Sequence, residues 1–160
     1  NVQGDEPLIP PAVIDQVASN LAANPQAGVA TLSEPIQRYG DLRNPNVVKL
    51  ACNQQSIALY FSRAPIPWPR DLIDSANADA ALPEDYDFSR HIGIYAYRVK
   101  ELNDFVTWPV APIEATEKLE QLRFMWHGVA IHAAPALQPV PGGIDTEEDL
   151  QVVISILKDQ

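Results

Sequence analysis

The 160 residues predict one α/β or α+β unit in which helices and strands alternate, and three observations carry that expectation. Apolar residues recur at helical spacing over residues 14–21, 114–126 and 150–157. Short β-rich runs at 47–50, 57–61, 91–98 and 129–133 lie between these segments. A hydrophobic content of 46% over this length supports a sizeable core, and there is no internal repeat.

The first helix is signalled by Pro10-Pro11, tolerated in a first helical turn, followed by Ile14, Val17 and Leu21, and Asn24-Pro25 ends it. The runs 47–50 and 57–61 flank the polar Asn53-Gln54-Gln55-Ser56, which suits a hairpin. Residues 71–89 are polar, Ala-rich and acidic and read as a surface loop. In the strand 91–98 a period of two puts His91, Gly93, Tyr95 and Tyr97 on one face and Ile92, Ile94 and Ala96 on the other. Leu119, Leu122 and Trp126 form the apolar stripe of a continuous helix over 114–126, with Glu114 and Lys118 as an i,i+4 pair. A strand at 129–133, a turn at Pro141-Gly142-Gly143 and a closing helix with Leu150, Val153, Ile154 and Leu157 inward complete the chain.

The charge of −10 argues against nucleic acid or anionic membranes as partners, so an acidic ligand needs a local cation. No apolar run reaches the roughly 20 residues of a membrane helix, and the first residues lack a signal-peptide pattern, so a cytoplasmic location is expected. Cys52, the single cysteine, reads as a structural thiol. With no initiating Met, and with first residues that read as a strand end entering a turn, the chain is expected to be the later part of a domain.

Asp5, beyond Gly4 and a strand end, stands where open α/β sheets bind ligands, though an Asp before Pro is also an ordinary turn residue. Asp145 opens the acidic run 145–149, which reads equally as the capped, dipole-favoured start of the last helix. Two carboxylates from separate loops suit Mg²⁺, which takes oxygen ligands and shares them with phosphates and water. Arg63 closes a strand and can grip a carboxylate through two parallel hydrogen bonds; as a surface arginine it needs no such role. His91 and Tyr95 share a strand face and offer hydrogen bonds to hydroxyls or a carboxylate, or pack as core residues. Glu120 and Gln121 lie off the apolar stripe, as ligand contacts or as a solvated helix face.

In order along nearly the whole chain, Asn1-Val2-Gln3-Gly4-Asp5-Glu6-Pro7, the run from Ala58 to Pro67 with Phe61-Ser62-Arg63-Ala64-Pro65, His91-Ile92-Gly93-Ile94-Tyr95-Ala96-Tyr97-Arg98, Trp108-Pro109, Glu117-Lys118-Leu119-Glu120-Gln121-Leu122-Arg123 and Asp145-Thr146-Glu147-Glu148-Asp149-Leu150 resemble the 3-deoxy-manno-octulosonate (Kdo) cytidylyltransferases. The resemblance implies a nucleotide-diphospho-sugar transferase fold, a mixed α/β sheet layered with helices, of which residues 1–160 are the C-terminal part. It also implies a homodimer, CTP and Kdo as substrates, Mg²⁺ held by Asp5 and Asp145, and Kdo contacts from Arg63, His91, Tyr95, Glu120 and Gln121. The family's glycine- and basic-rich triphosphate loop would precede Asn1. The activity implied is transfer of CMP to Kdo for lipopolysaccharide synthesis; the alternatives are transfer to another acidic sugar or, for the segment alone, a non-catalytic sugar-binding and dimerisation module.

Overall fold

The computed structural model describes residues 1–2, 7–70, 78–83, 85–141, 143 and 147–158, with the main chain alone at 148, 149, 152 and 158. Helix α1 (Pro11–Ala23) begins with a proline at its first position. Its buried stripe is Val13, Val17 and Leu21, while Ile14, expected on that stripe, is 37% exposed. One residue turns a helix by about 100°, so the i,i+4 series beginning at Val13 excludes its neighbour. Arg98 closes the helix, donating from Nε to the Ala27 carbonyl (2.9 Å) and from Nη2 to the Leu21 and Asn24 carbonyls (3.0 and 3.3 Å). A cation there meets the negative end of the helix dipole.

Strand β1 (Val29–Pro35) follows, buried without alternation from Val29 to Ser33. Burial on both faces of an interior strand erases the period-two signal, and this strand has no counterpart in the sequence expectations. Helix α2 (Tyr39–Arg43) buries Tyr39 and Leu42. Strands β2 (Lys49–Cys52) and β3 (Ala58–Ser62) form the expected antiparallel hairpin, and Asn53 Oδ1 accepts from the Gln55 and Ile57 N–H groups in its turn (both 2.9 Å). In the same turn Ser56 takes φ 57°. Residues 78–83 and 85–88 carry no helix or long strand, and β4 (Ser89–Tyr97) starts slightly before the expected boundary.

Among the described residues the sheet order is β3-β2-β4-β1-β5, with β5 (Ile131–Pro135) parallel to β1 and the other pairings antiparallel. On the edge of β4 opposite β1, Asn1 exchanges two main-chain hydrogen bonds with Tyr95 (2.6 and 3.1 Å). The sheet curls until the hairpin turn meets β5: Ile57 bridges His132, and the Ala133 N–H donates to the Ser56 carbonyl (2.8 Å).

Each face of the sheet has its own core. Against α1 lie Ala30, Leu32, Ile92 and Ile94; on the other face Val29, Phe61, Tyr95 and Ile131 pack with Leu119, Leu122 and Phe124. The latter three belong to a segment that departs from expectation. The single helix over 114–126 is instead α4 (Pro112–Glu117) and α5 (Gln121–Trp126), after α3 (Val99–Phe105). Lys118 adopts a left-handed conformation (φ 56°) at the break, and the turn aims Leu119 and Leu122 inward while leaving Trp126 54% exposed. The closing helix α6 (Glu147–Lys158) buries Val153, but Leu157 is 53% exposed, so the expected core face is narrower.

Candidate functional site

The polar face of β4 forms the floor of the site. His91, Tyr95 and Tyr97 line up with ring centroids 5.3 and 5.6 Å apart, and the series continues to Phe124 at 5.6 Å and Phe105 at 4.5 Å. Phe61 meets His91 edge-on at 5.2 Å. The Thr31 hydroxyl lies 2.8 and 3.0 Å from the Ile94 and Ile92 carbonyls, which share its one proton, and 3.0 Å from His91 Nε2. With its one proton directed to a carbonyl, the hydroxyl accepts from the imidazole, an arrangement that pairs with the tautomer protonated on Nε2 and leaves Nδ1 as an acceptor. Burial first, and the Arg90 charge second, push His91 down to about 3, so it is neutral at physiological pH. Burial also raises both tyrosines, Tyr97 to about 12, and the Glu120 carboxylate adds to each shift. Glu120 therefore acts on both phenols through its charge.

The break between α4 and α5 forms the wall. Glu120 is exposed at the start of α5, whereas Gln121 is 3% exposed, so of the two readings of that position the solvated helix face does not hold. Removing the helical turn rotates Gln121 under the wall. Behind it, Glu114 pairs with Arg123 (2.5 and 2.8 Å) and accepts from the Ala111 N–H (3.0 Å), replacing the expected pairing with Lys118. The Arg123 guanidinium also lies over the Phe105 ring at 4.2 Å.

Arg63 follows β3 as expected, and main-chain carbonyls hold its guanidinium. Nε donates to Glu117 O (2.7 Å), Nη1 to Pro45 O (2.9 Å) and Nη2 to Lys118 O (3.5 Å). With five N–H donors on a guanidinium, two remain for a ligand. The Glu117 carboxylate accepts from Ser62 Oγ (2.7 Å) and the Arg63 N–H (2.9 Å). Lys49 is completely buried, and its ammonium donates to Asn44 O (2.8 Å). Burial, then the Arg63 charge, push Lys49 down to about 8, while Glu117 acts in the opposite direction.

The segment 117–121 thus joins Arg63 to the β4 face, bringing Arg63, His91, Tyr95, Glu120 and Gln121 to one side of the sheet. Thr31, Lys49 and Glu117 are site residues that sequence reasoning missed. A lysine inside the apolar run Val47-Val48-Lys49-Leu50 is a usable signal for the second; Thr31 and Glu117 give no local one. Asp5 and Asp145 lie outside the described residues, and among those described no group of three or more His, Cys, Asp or Glu side chains could hold a metal ion. The Cys52 thiol is exposed, 4.0 Å from the Ala133 carbonyl, and is pushed up to about 11 by its partial burial and then by Asp87, which keeps it protonated. Among the described residues no helix is long and apolar enough to cross a membrane.

A family profile described as cytidylyltransferase matches residues 1–131. The 3-deoxy-manno-octulosonate cytidylyltransferase of Hahella chejuensis (strain KCTC 2396) is 60% identical over 157 residues, covering 98% of this chain and 61% of that protein. Its counterpart in Cellvibrio japonicus (strain Ueda107) is 59% identical over 158 residues, covering 99% of this chain and 62% of that protein. A solved structure described as CMP:2-keto-3-deoxy-manno-octonic acid synthetase complexed with CTP superposes with a TM-score of 0.83 at 34% identity, covering 99% of this chain and 61% of that one. The chain therefore spans 61–62% of the length of these curated relatives. The mixed sheet with flanking helices agrees with the expected fold.

Proposed function

The chain belongs to the cytidylyltransferase family, and from that premise we propose that the full-length protein transfers CMP from CTP to Kdo, giving CMP-Kdo and pyrophosphate for lipopolysaccharide synthesis. The observation that carries this reading is the match over 98–99% of the chain to proteins named for that reaction. In the reaction the anomeric hydroxyl oxygen of Kdo attacks the α-phosphorus of CTP and loses its proton. A new O–P bond forms, the bond from the α-phosphorus to the bridging oxygen breaks, and pyrophosphate leaves. No protein nucleophile is needed, so positioning and electrostatics supply most of the acceleration.

Each residue's role follows from its chemistry. Neutral His91 accepts through Nδ1 from a sugar hydroxyl, protonated Tyr95 offers a phenol proton, and Glu120 takes hydroxyls at the wall with the amide of Gln121 beneath it. Arg63 meets the sugar carboxylate with its remaining donors. Asp5 and Asp145 are the hard oxygen donors that Mg²⁺ prefers and would hold it, and the bound ion would neutralise charge on the transferring phosphate. In the full-length enzyme, Asp5→Asn or Asp145→Asn should remove most CMP-Kdo formation; near-normal turnover would rule out that assignment.

Pyrophosphate release with a panel of acidic sugars and CTP tests the substrate, and preference for a nine-carbon acid over Kdo would overturn the choice. The reading includes a cytoplasmic homodimer, which sedimentation of the full-length enzyme as a monomer would contradict. For the 160 residues alone, spanning 61% of their relatives, a sugar-binding and dimerisation module is the fitting role. Calorimetry should then detect weak Kdo binding and no CTP binding, and tight CTP binding would refute that narrower role.

A further inference from the structure

Every described bond of the Arg63 guanidinium goes to a main-chain carbonyl, and among the described residues it forms no ion pair. An arginine that is held in place yet keeps its charge unneutralised is prepared for an anion from outside. The Glu117 carboxylate serves another task. Glu117 Oε1 accepts from Ser62 Oγ, Oε2 accepts from the Arg63 N–H, and the Glu117 carbonyl accepts from Arg63 Nε at 2.7 Å. One residue therefore fixes both the main chain and the side chain of Arg63. The Ser62 hydroxyl that is bonded to Glu117 also accepts from the Ala64 N–H (3.0 Å), so the same carboxylate steadies the strand end on both sides of Arg63.

The turn at Lys118 makes this arrangement possible. Its left-handed conformation ends α4 after Glu117, which frees the Glu117 and Lys118 carbonyls from helical bonding so that Nε and Nη2 can use them. Among the described residues, the charges that act on the buried Lys49 ammonium are Arg63 and Glu117, so this corner has two cations against one carboxylate. A local positive excess in a protein of charge −10 is what an acidic ligand requires.

We propose that Glu117 is a positioning residue that aims the Arg63 guanidinium at the carboxylate of the acidic sugar. The inference rests on the reading that Arg63 meets that carboxylate, and the test separates the two. Steady-state kinetics on the full-length enzyme, varying Kdo and CTP separately, would compare Glu117→Gln, Glu117→Asp, Arg63→Ala and the Glu117→Gln/Arg63→Ala double variant. Glu117→Gln should raise the Kdo KM roughly tenfold, the loss expected for one charge-assisted hydrogen bond, with the CTP KM within about twofold. Glu117→Asp should recover part of this loss, and adding Glu117→Gln to Arg63→Ala should make Kdo recognition no worse. A normal Kdo KM in Glu117→Gln beside a raised one in Arg63→Ala would overturn the positioning role and leave Arg63 in place. Fully additive losses would do the same. A normal Kdo KM in Arg63→Ala would overturn the underlying reading of Arg63 itself. Should Glu117→Gln fail to fold, Ser62→Ala, which removes one partner of the carboxylate, should raise the Kdo KM about two- to threefold, and no rise there would count against the proposal.

Discussion

The two faces of β4 are built from alternate residues of one strand, yet they differ in kind. Ile92 and Ile94, 2% and 0% exposed, meet an aliphatic surface of Val13, Val17 and Leu21 on α1. His91, Tyr95 and Tyr97 face rings, a threonine hydroxyl and a helix break that carries polar groups. The first face needs only volume and apolar area, so many similar side chains would serve. The second contains donors and acceptors that require particular partners. Neighbouring positions in β4 should therefore fail differently: one should lose stability with recognition intact, and the next should lose recognition or change its response to pH.

Four experiments sharpen this contrast. Ile94→Ala should have the largest effect, about 3–4 kcal/mol of stability in denaturant unfolding, with the Kdo KM of the folded fraction unchanged. A loss below about 1 kcal/mol would mean that the aliphatic face is loosely packed. Behind the opposite face, Glu114→Gln strands Arg123 against Phe105 and should destabilise by about 3 kcal/mol. The Glu114→Gln/Arg123→Met pair should recover much of that, and no recovery would show that the ion pair is not what matters there.

Acid should act on the chemical face next. The His91 imidazole is held at about 3, below the roughly 6.5 of an unfolded histidine, so between those values the unfolded chain binds more protons. Stability is fully present above about pH 6.5 and falls by roughly 2 kcal/mol by pH 5. His91→Gln should flatten that limb in pH-dependent thermal melts; an unaltered limb would assign acid sensitivity to other groups. The smallest effect should come from Ser56→Gly, which relieves a left-handed serine in the hairpin turn and should stabilise by about 0.5–1 kcal/mol. A fall in Tm would show that Ser56 contributes more than its backbone angle.

What could be foreseen from the sequence follows the reach of each signal. The alternation in β4 and the polar turn of the β2–β3 hairpin are local patterns, and both are present in the fold. The interior strand β1 lacks alternation because both of its faces are covered, and the Asn24-Pro25 and Gly28 that precede it mark a turn without saying that a strand follows. Lys118 carries no turn chemistry in its side chain, so the break that divides α4 from α5 was invisible, and with it the burial of Gln121. Arg63 was legible as a strand-end cation. Its bond to Glu117 crosses 54 residues, which periodicity and spacing do not reach.

The contact between the hairpin turn and β5 also bears on self-association. A strand at the end of a sheet offers unpaired N–H and C=O groups to any extended chain nearby, a common route to aggregation. Among the described residues β5 ends the sheet, and the Ser56 carbonyl and Ile57 occupy part of its free margin, so a turn from the other end of the sheet shields that ladder. Lengthening the turn at residues 53–56 would leave the fold's cores untouched while opening that margin, and such a variant should show its defect as self-association on concentration before it shows any loss of melting temperature.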